Sequence, residues 1–151
     1  MNPGNHLIEV RELVGKGYQP CIDYGEWRVA FLSHISEVDV ERIDFMERHN
    51  QTDEVFLLLE GRCILLLGEG NPGIETIHAL DMIPNTLYNI KKGVYHTHTL
   101  SKDALVLIVE NKDTGPMNSD QVTIRKEQQG ELIRMVQSLW ASDRPERREE
   151  N

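Results

Sequence analysis

Four side chains in two short stretches have the types and spacing for chemistry. In "MERHNQTDEVFLLLEG", Glu47 and His49 stand two residues apart, and Glu54 follows His49 across the polar turn "NQTD". Far along the chain, "GVYHTHTL" sets His96 and His98 two apart. Residues i and i+2 of a β-strand share a face, so each pair points one way. If the two segments are neighbouring strands, His49, Glu54, His96 and Glu47 form one cluster with His98 nearby. Such a cluster either holds a metal ion or is the polar mouth of a hairpin. In the second case His49 is a hydrogen-bonded strand-end residue and Glu54 pairs with a cation such as Arg48 or Arg62. Glu47 is then one of several solvated charges in "DFMERH". His98 reads as a pocket-lining group that orients a water or a substrate carboxylate.

The elements that must position these residues are short. A hairpin at "NQTD" would turn Glu54 back to face His49 and Glu47. From Gly25 onward come "EWRVAFL", "VERIDFME", "EVFLLLEG", "CILLLGEG", "GIETIHAL", "TLYNI", "VYHTHTL" and "ALVLIVEN", punctuated by "GEGNPG", "IPNT", "KKG" and "SKD". Closely spaced strand-length runs with turn signals predict an all-β sandwich or barrel. "RKEQQGELIRMVQSLW" differs: Leu132, Ile133, Val136, Leu139 and Trp140 recur at helical spacing, which predicts an amphipathic helix with one apolar stripe to cover. If Glu54 faces inward, so do Phe56 and Leu58, and Val55, Leu57 and Leu59 face out although all are apolar. A sheet apolar on both faces is buried on both. The helix covers one patch and a second copy of the chain another, so a homodimer is expected. The organisation is a single domain: an N-terminal extension over 1–24, with a short helix expected at "HLIEVRELV"; a β-domain over 25–112; a linker and C-terminal helix over 113–142; and a polar, disordered tail over 143–151.

These residues resemble the motifs of the cupin superfamily. Its first motif is a glycine, two histidines with one residue between, a glutamate shortly after, and a glycine six residues beyond. His49 matches the second histidine, Glu54 the glutamate and Gly61 the closing glycine. In the second motif, Gly93 and His96 match the glycine and histidine. The chain departs from the pattern at Glu41 for the opening glycine, Glu47 for the first histidine, Lys91 for a proline and Leu100 for an asparagine. The resemblance spans Trp27 to Asn111 and implies an antiparallel jelly-roll β-barrel, here with a C-terminal amphipathic helix. It also implies a divalent metal ion held by His49, Glu54, His96 and, in place of the first histidine, Glu47. Two imidazoles and two carboxylates suit iron, manganese, nickel or zinc.

Composition narrows the partners. The 151 residues carry a net charge of −9, and no basic cluster is present to neutralise a run of phosphates, so nucleic acid is not expected as a partner. The longest apolar runs, such as "ALVLIV", are strand-length, which excludes a membrane-spanning helix. The start lacks the cationic head and apolar stretch of an export signal, so a cytoplasmic protein with Cys21 and Cys63 as free thiols is expected. His6, His34 and His78 have no partner at motif spacing. "GKGYQP" lacks the context of a phosphate cradle, and no nucleophile elbow is present.

Three functions follow from these observations. One is a metal-dependent enzyme of oxygenase, isomerase or lyase type, acting on a sugar derivative, keto acid or other small carboxylate, with His98 or Glu47 moving protons. The second is a non-catalytic small-ligand binder. The third is a metal-free isomerase or epimerase using His96 or His98 with Glu54.

Overall fold

Residues 4 and 6–144 are described by the computed structural model. There are ten strands: β1 Tyr18–Tyr24, β2 Trp27–Ser33, β3 Phe45–His49, β4 Glu54–Glu60, β5 Cys63–Glu69, β6 Thr76–Asp81, β7 Leu87–Ile90, β8 Tyr95–Leu100, β9 Leu105–Asn111 and β10 Ser119–Thr123. The eight strand-like runs account for β2 to β9, while β1 lies in the expected N-terminal extension and β10 in the expected linker. Two single 3-10 turns, Ser36–Val38 and Val40–Arg42, precede β3, and the helix α1 spans Lys126–Ala141. The strands form two five-stranded sheets, β1-β2-β9-β4-β7 and β10-β3-β8-β5-β6. Every pairing is antiparallel.

This corrects the expected all-β jelly-roll barrel. Both sheets are open: the first ends at β1 and β7, the second at β10 and β6, and no ladder joins one sheet to the other. With α1 as a packed layer, the fold is a mixture of α and β. Several turns pass the chain from one sheet to the other, although those joining β1 to β2 and β5 to β6 make hairpins. Between β4 and β5, Gly61 has φ 68°, and a Cβ there would lie 2.5 Å from the Ala104 backbone. Only glycine fits that approach. β4 then pairs with β7 and β9, while β5 pairs with β6 and β8.

The apolar alternation builds two cores. Ala30, Phe56, Leu58 and Ile108 from the first sheet meet Leu65 and Leu100 from the second. On the far side of the second sheet, Met46, Ile64, Leu66 and Tyr95 pack under Leu132 and Val136 of α1. The strand buried on both faces is therefore β5. In β4, Glu54, Phe56 and Leu58 are buried as the alternation requires, but Val55, Leu57 and Leu59 are only half-buried. The helix is fastened at its C-terminal end by Arg62. This guanidinium donates to the carbonyl oxygens of Leu139 (2.8 Å) and Trp140 (3.2 Å), pairs with the buried Asp81, and lies 5.1 Å from the centre of the Trp140 ring. Cationic donors suit the exposed carbonyls at a helix end.

The short helix expected near residue 10 does not form. Residues 8–14 have no regular secondary structure, and Leu7, Ile8, Val10 and Val14 are exposed. A helix that short, with no surface to bury its apolar face, does not repay the cost of nucleation. Strand β1 already begins inside the 1–24 segment. Of the expected polar tail, residues 145–151 lie outside the described residues.

Candidate metal centre

The cluster is built from inward rows of both sheets. In β3, alternation puts Glu47 and the buried His49 on one face and Met46 on the other. Glu47 lies directly opposite His96 of β8. Gly93, at φ 81°, donates its N–H to the His49 carbonyl at 2.8 Å, which seats the start of β8 beside the end of β3. The turn after His49 is not a hairpin, because β3 and β4 lie in different sheets. Glu54 therefore meets the histidines across the interior. Its approach is pinned by Asp53, whose carboxylate accepts from the Lys92 N–H, Asn89 and Lys91.

Both imidazoles converge on one oxygen. Oε2 of Glu54 lies 2.9 Å from Nε2 of His96 and 3.2 Å from Nε2 of His49. The rings meet edge-on with centroids 5.0 Å apart. The other nitrogens are already engaged. His96 Nδ1 donates to the Val94 carbonyl at 2.9 Å, and His49 Nδ1 shares a hydrogen bond with Ser119 Oγ at 2.8 Å. A carbonyl only accepts, so the proton of a neutral His96 is on Nδ1 and its bare Nε2 faces a carboxylate oxygen. Two lone pairs at that distance repel. A cation belongs between them, either a proton or a metal ion.

The electrostatics agree. Burial raises the Glu54 carboxyl, but the contacts with His49 and His96 outweigh it and hold the pKa at about 2. For His49, burial disfavours the charged form, yet Glu54, Glu47 and Glu110 together raise its pKa above the usual value. His98 is different. Burial drives it down to about 4, so it is neutral at pH 7. Its ring lies 6.0 Å from that of Phe56.

Two overlapping triads have metal-ligand spacing: Glu47, His49 and His96, and His49, Glu54 and Glu110. Within each, the ligand atoms lie within 4.8 Å of one another. Either set of imidazole and carboxylate groups suits a divalent ion. Glu54 does not pair with a surface cation, because Arg48 is held by Asp120 and Arg62 by Asp81. Of the other histidines, His34 pairs with Asp39 and His78 with Glu69, away from the cluster.

Glu110 was missed in the sequence. It is buried at the end of the inward row of β9, after Val106 and Ile108, and Tyr18 of β1 donates a hydrogen bond to its Oε1. Burial and the nearby Glu54 raise its pKa, and the Tyr18 hydrogen bond, with His49 and Arg28, only partly offsets them. The available signal was a carboxylate in register with apolar residues in "ALVLIVEN".

Beside the cluster lies a cavity of about 220 Å³, lined by Val38, Arg42, Phe45, Glu47, Phe56 and His98 among others. Glu54 and His96 also reach its wall. The arrangement places three cluster residues and a neutral imidazole against a space suited to a small molecule.

No family model matches the chain, and no curated protein matches it by sequence. Solved structures do resemble it in fold. The Streptomyces protein Pac13, described as a nucleoside dehydratase, has a TM-score of 0.52 at 9% identity, over 74% of this chain and 84% of that one, and a point variant of it solved with uridine has the same TM-score at 10% identity. A cupin-2 domain-containing protein from Shewanella frigidimarina has a TM-score of 0.48 at 16% identity, over 66% and 85%. Protein NMB1881 from Neisseria meningitidis has a TM-score of 0.48 at 14% identity, over 66% and 89%. At these identities the likeness concerns fold alone. Among the described residues, no helix is long and apolar enough to cross a membrane.

Proposed function

We propose that this protein binds one divalent metal ion, iron, manganese, nickel or zinc, through His49, Glu54 and His96, and that the adjoining cavity takes a small polar metabolite such as a sugar derivative or a keto or carboxylic acid. The observation that carries this reading is the convergence of two imidazole Nε2 atoms on one carboxylate oxygen, with both outer nitrogens already hydrogen-bonded. When bound, the ion supplies Lewis-acid polarisation or activation of water or oxygen. The chain's own groups do the rest. Val94 and Ser119 fix the ring orientations, Phe56 and Val38 exclude water, and neutral His98 hydrogen-bonds the ligand. Glu47 on the cavity wall accepts or returns a proton. A second reading rests on the same geometry: the shared cation is a proton, and the site works as a metal-free acid–base pair of His96 and Glu54.

Thermal unfolding of chelator-treated protein with each metal added separately distinguishes the two. Metal binding raises Tm by mass action, and the rise disappears in His49→Ala and His96→Ala. Equal melting with and without every metal would leave the proton reading in its place.

The chain is further proposed to act as a cytoplasmic homodimer, in keeping with two free thiols. The outward row of the first sheet presents Phe31, Val55, Leu57, Leu107 and Val109, each half-buried. A second copy offers the same face and closes on it by two-fold symmetry. Five strands spaced ~4.8 Å apart and ~23 Å long give roughly 500 Å² of flat sheet before side-chain relief. That is of the order of the ~800 Å² per partner of a stable interface.

A further inference from the structure

Building on the proposed metal site, we infer that Glu110 is the fourth protein ligand of the ion, held by Tyr18, and that Glu47 is left free to face the substrate cavity. Three observations carry this. The first is position. A Glu110 oxygen lies within 4.8 Å of ligand atoms of both His49 and Glu54, and all three residues are buried. Glu47 has a ligand atom equally near those of His49 and His96, but it is only half-buried and lines the cavity, which neither His49 nor Glu110 does. Glu47 thus stands on the substrate side of the cluster and Glu110 behind it.

The second observation is unbalanced charge. Glu110 sits in the row of Val106 and Ile108, inside the first sheet and close to a second buried carboxylate, Glu54. Buried carboxylates are retained when paired or metal-bound. No lysine or arginine lies within ion-pair distance of Glu110 among the described residues; Arg28, opposite it in the ladder, acts on it only at longer range, its guanidinium held by Asp23 at 2.8 and 2.9 Å. A divalent cation shared with His49 and Glu54 supplies the missing charge.

The third observation is orientation. Tyr18 donates its hydroxyl hydrogen to Oε1 of Glu110, which leaves Oε2 free to ligate. A donor that fixes a ligating carboxylate in this way tunes metal affinity from outside the ligand set. Tyr18 is therefore a positioning residue. The assignment also gives the two partly redundant carboxylates distinct tasks: Glu110 ligates and Glu47 handles protons.

The test is the affinity of the full-length, chelator-stripped protein for Zn²⁺ and, separately, Mn²⁺, by competition with a chromophoric chelator. Wild type, Glu110→Gln, Glu47→Gln and Tyr18→Phe are compared at pH 7.5, with folding checked by circular dichroism. The expected result is loss of affinity by about 10- to 100-fold in both Glu110→Gln and Tyr18→Phe, with Glu47→Gln within about 3-fold of wild type. Tyr18 is 43% exposed, so Tyr18→Phe tests the inference even if Glu110→Gln does not fold. Wild-type affinity in Tyr18→Phe and Glu110→Gln, or an equal loss in Glu47→Gln, overturns this assignment and leaves the metal reading intact. A wild-type protein that takes up neither metal overturns both.

Discussion

Replacing Glu54 by glutamine in metal-free protein tests the electrostatics at the centre of the cluster. The carboxyl is buried, and its pKa falls from 4.5 to about 2 because His49 and His96 outweigh the burial that raises it. At 1.36 kcal/mol per unit, that shift is worth about 3 kcal/mol, in line with the ~3–5 kcal/mol lost when one partner of a buried pair is removed. A depressed carboxyl pKa contributes stability that is present above the unfolded value, near 4.5, and lost as pH falls through the folded value, near 2. The His49 shift has the opposite sign. Its raised pKa contributes stability that is present below the unfolded value of 6.5 and lost as pH rises through the folded one. Metal-free wild type is therefore most stable between about pH 4.5 and 6.5 and weakens toward neutral and alkaline pH. The assay is urea unfolding at pH 5.5 and pH 8 after chelation. Glu54→Gln loses about 3 kcal/mol at pH 5.5 and progressively less as pH rises through the raised His49 value and its imidazolium is lost. A variant within 1 kcal/mol of wild type at pH 5.5, with an unchanged pH profile, would refute the shared-cation geometry.

Three further perturbations follow from the fold. Arg62→Ala leaves the buried Asp81 unpaired and the end of α1 without its donors, and it is expected to cost about 3 kcal/mol in urea unfolding. Gly61→Ala forces a side chain into a left-handed turn against the Ala104 backbone. A loss of at least about 2 kcal/mol is expected in the same assay. Leu57→Glu places a charge at the centre of the proposed dimer face, and sedimentation should show monomer where wild type is dimer, with the fold unchanged by circular dichroism.

Much of the cluster was legible because a two-residue repeat in a strand is a statement about direction. The pairs Glu47/His49 and His96/His98 needed only that each segment be extended, and the ladder then set Glu47 opposite His96. How the sheets are joined was less legible. "NQTD" has the length and polarity of a hairpin turn, yet a turn of the same length can carry the chain between sheets, and it does. Strand-like runs likewise do not state which edges pair, so a closed barrel and two open sheets look alike in sequence. Burial on both faces was assigned to β4 rather than β5 because both runs are apolar throughout. What separates them is the docking of α1 over Ile64 and Leu66, a contact between segments far apart in the chain. Glu110 was hidden for the same reason: nothing local to "LIVEN" says that it faces Glu54.

Elemental analysis of protein purified without chelators or an affinity tag tests the central claim most directly, with His49→Ala and His96→Ala run in parallel. The account predicts about one divalent ion per chain in wild type and none in either folded variant. Wild-type protein that contains no metal, and takes up none from added iron, manganese, nickel or zinc, would contradict it.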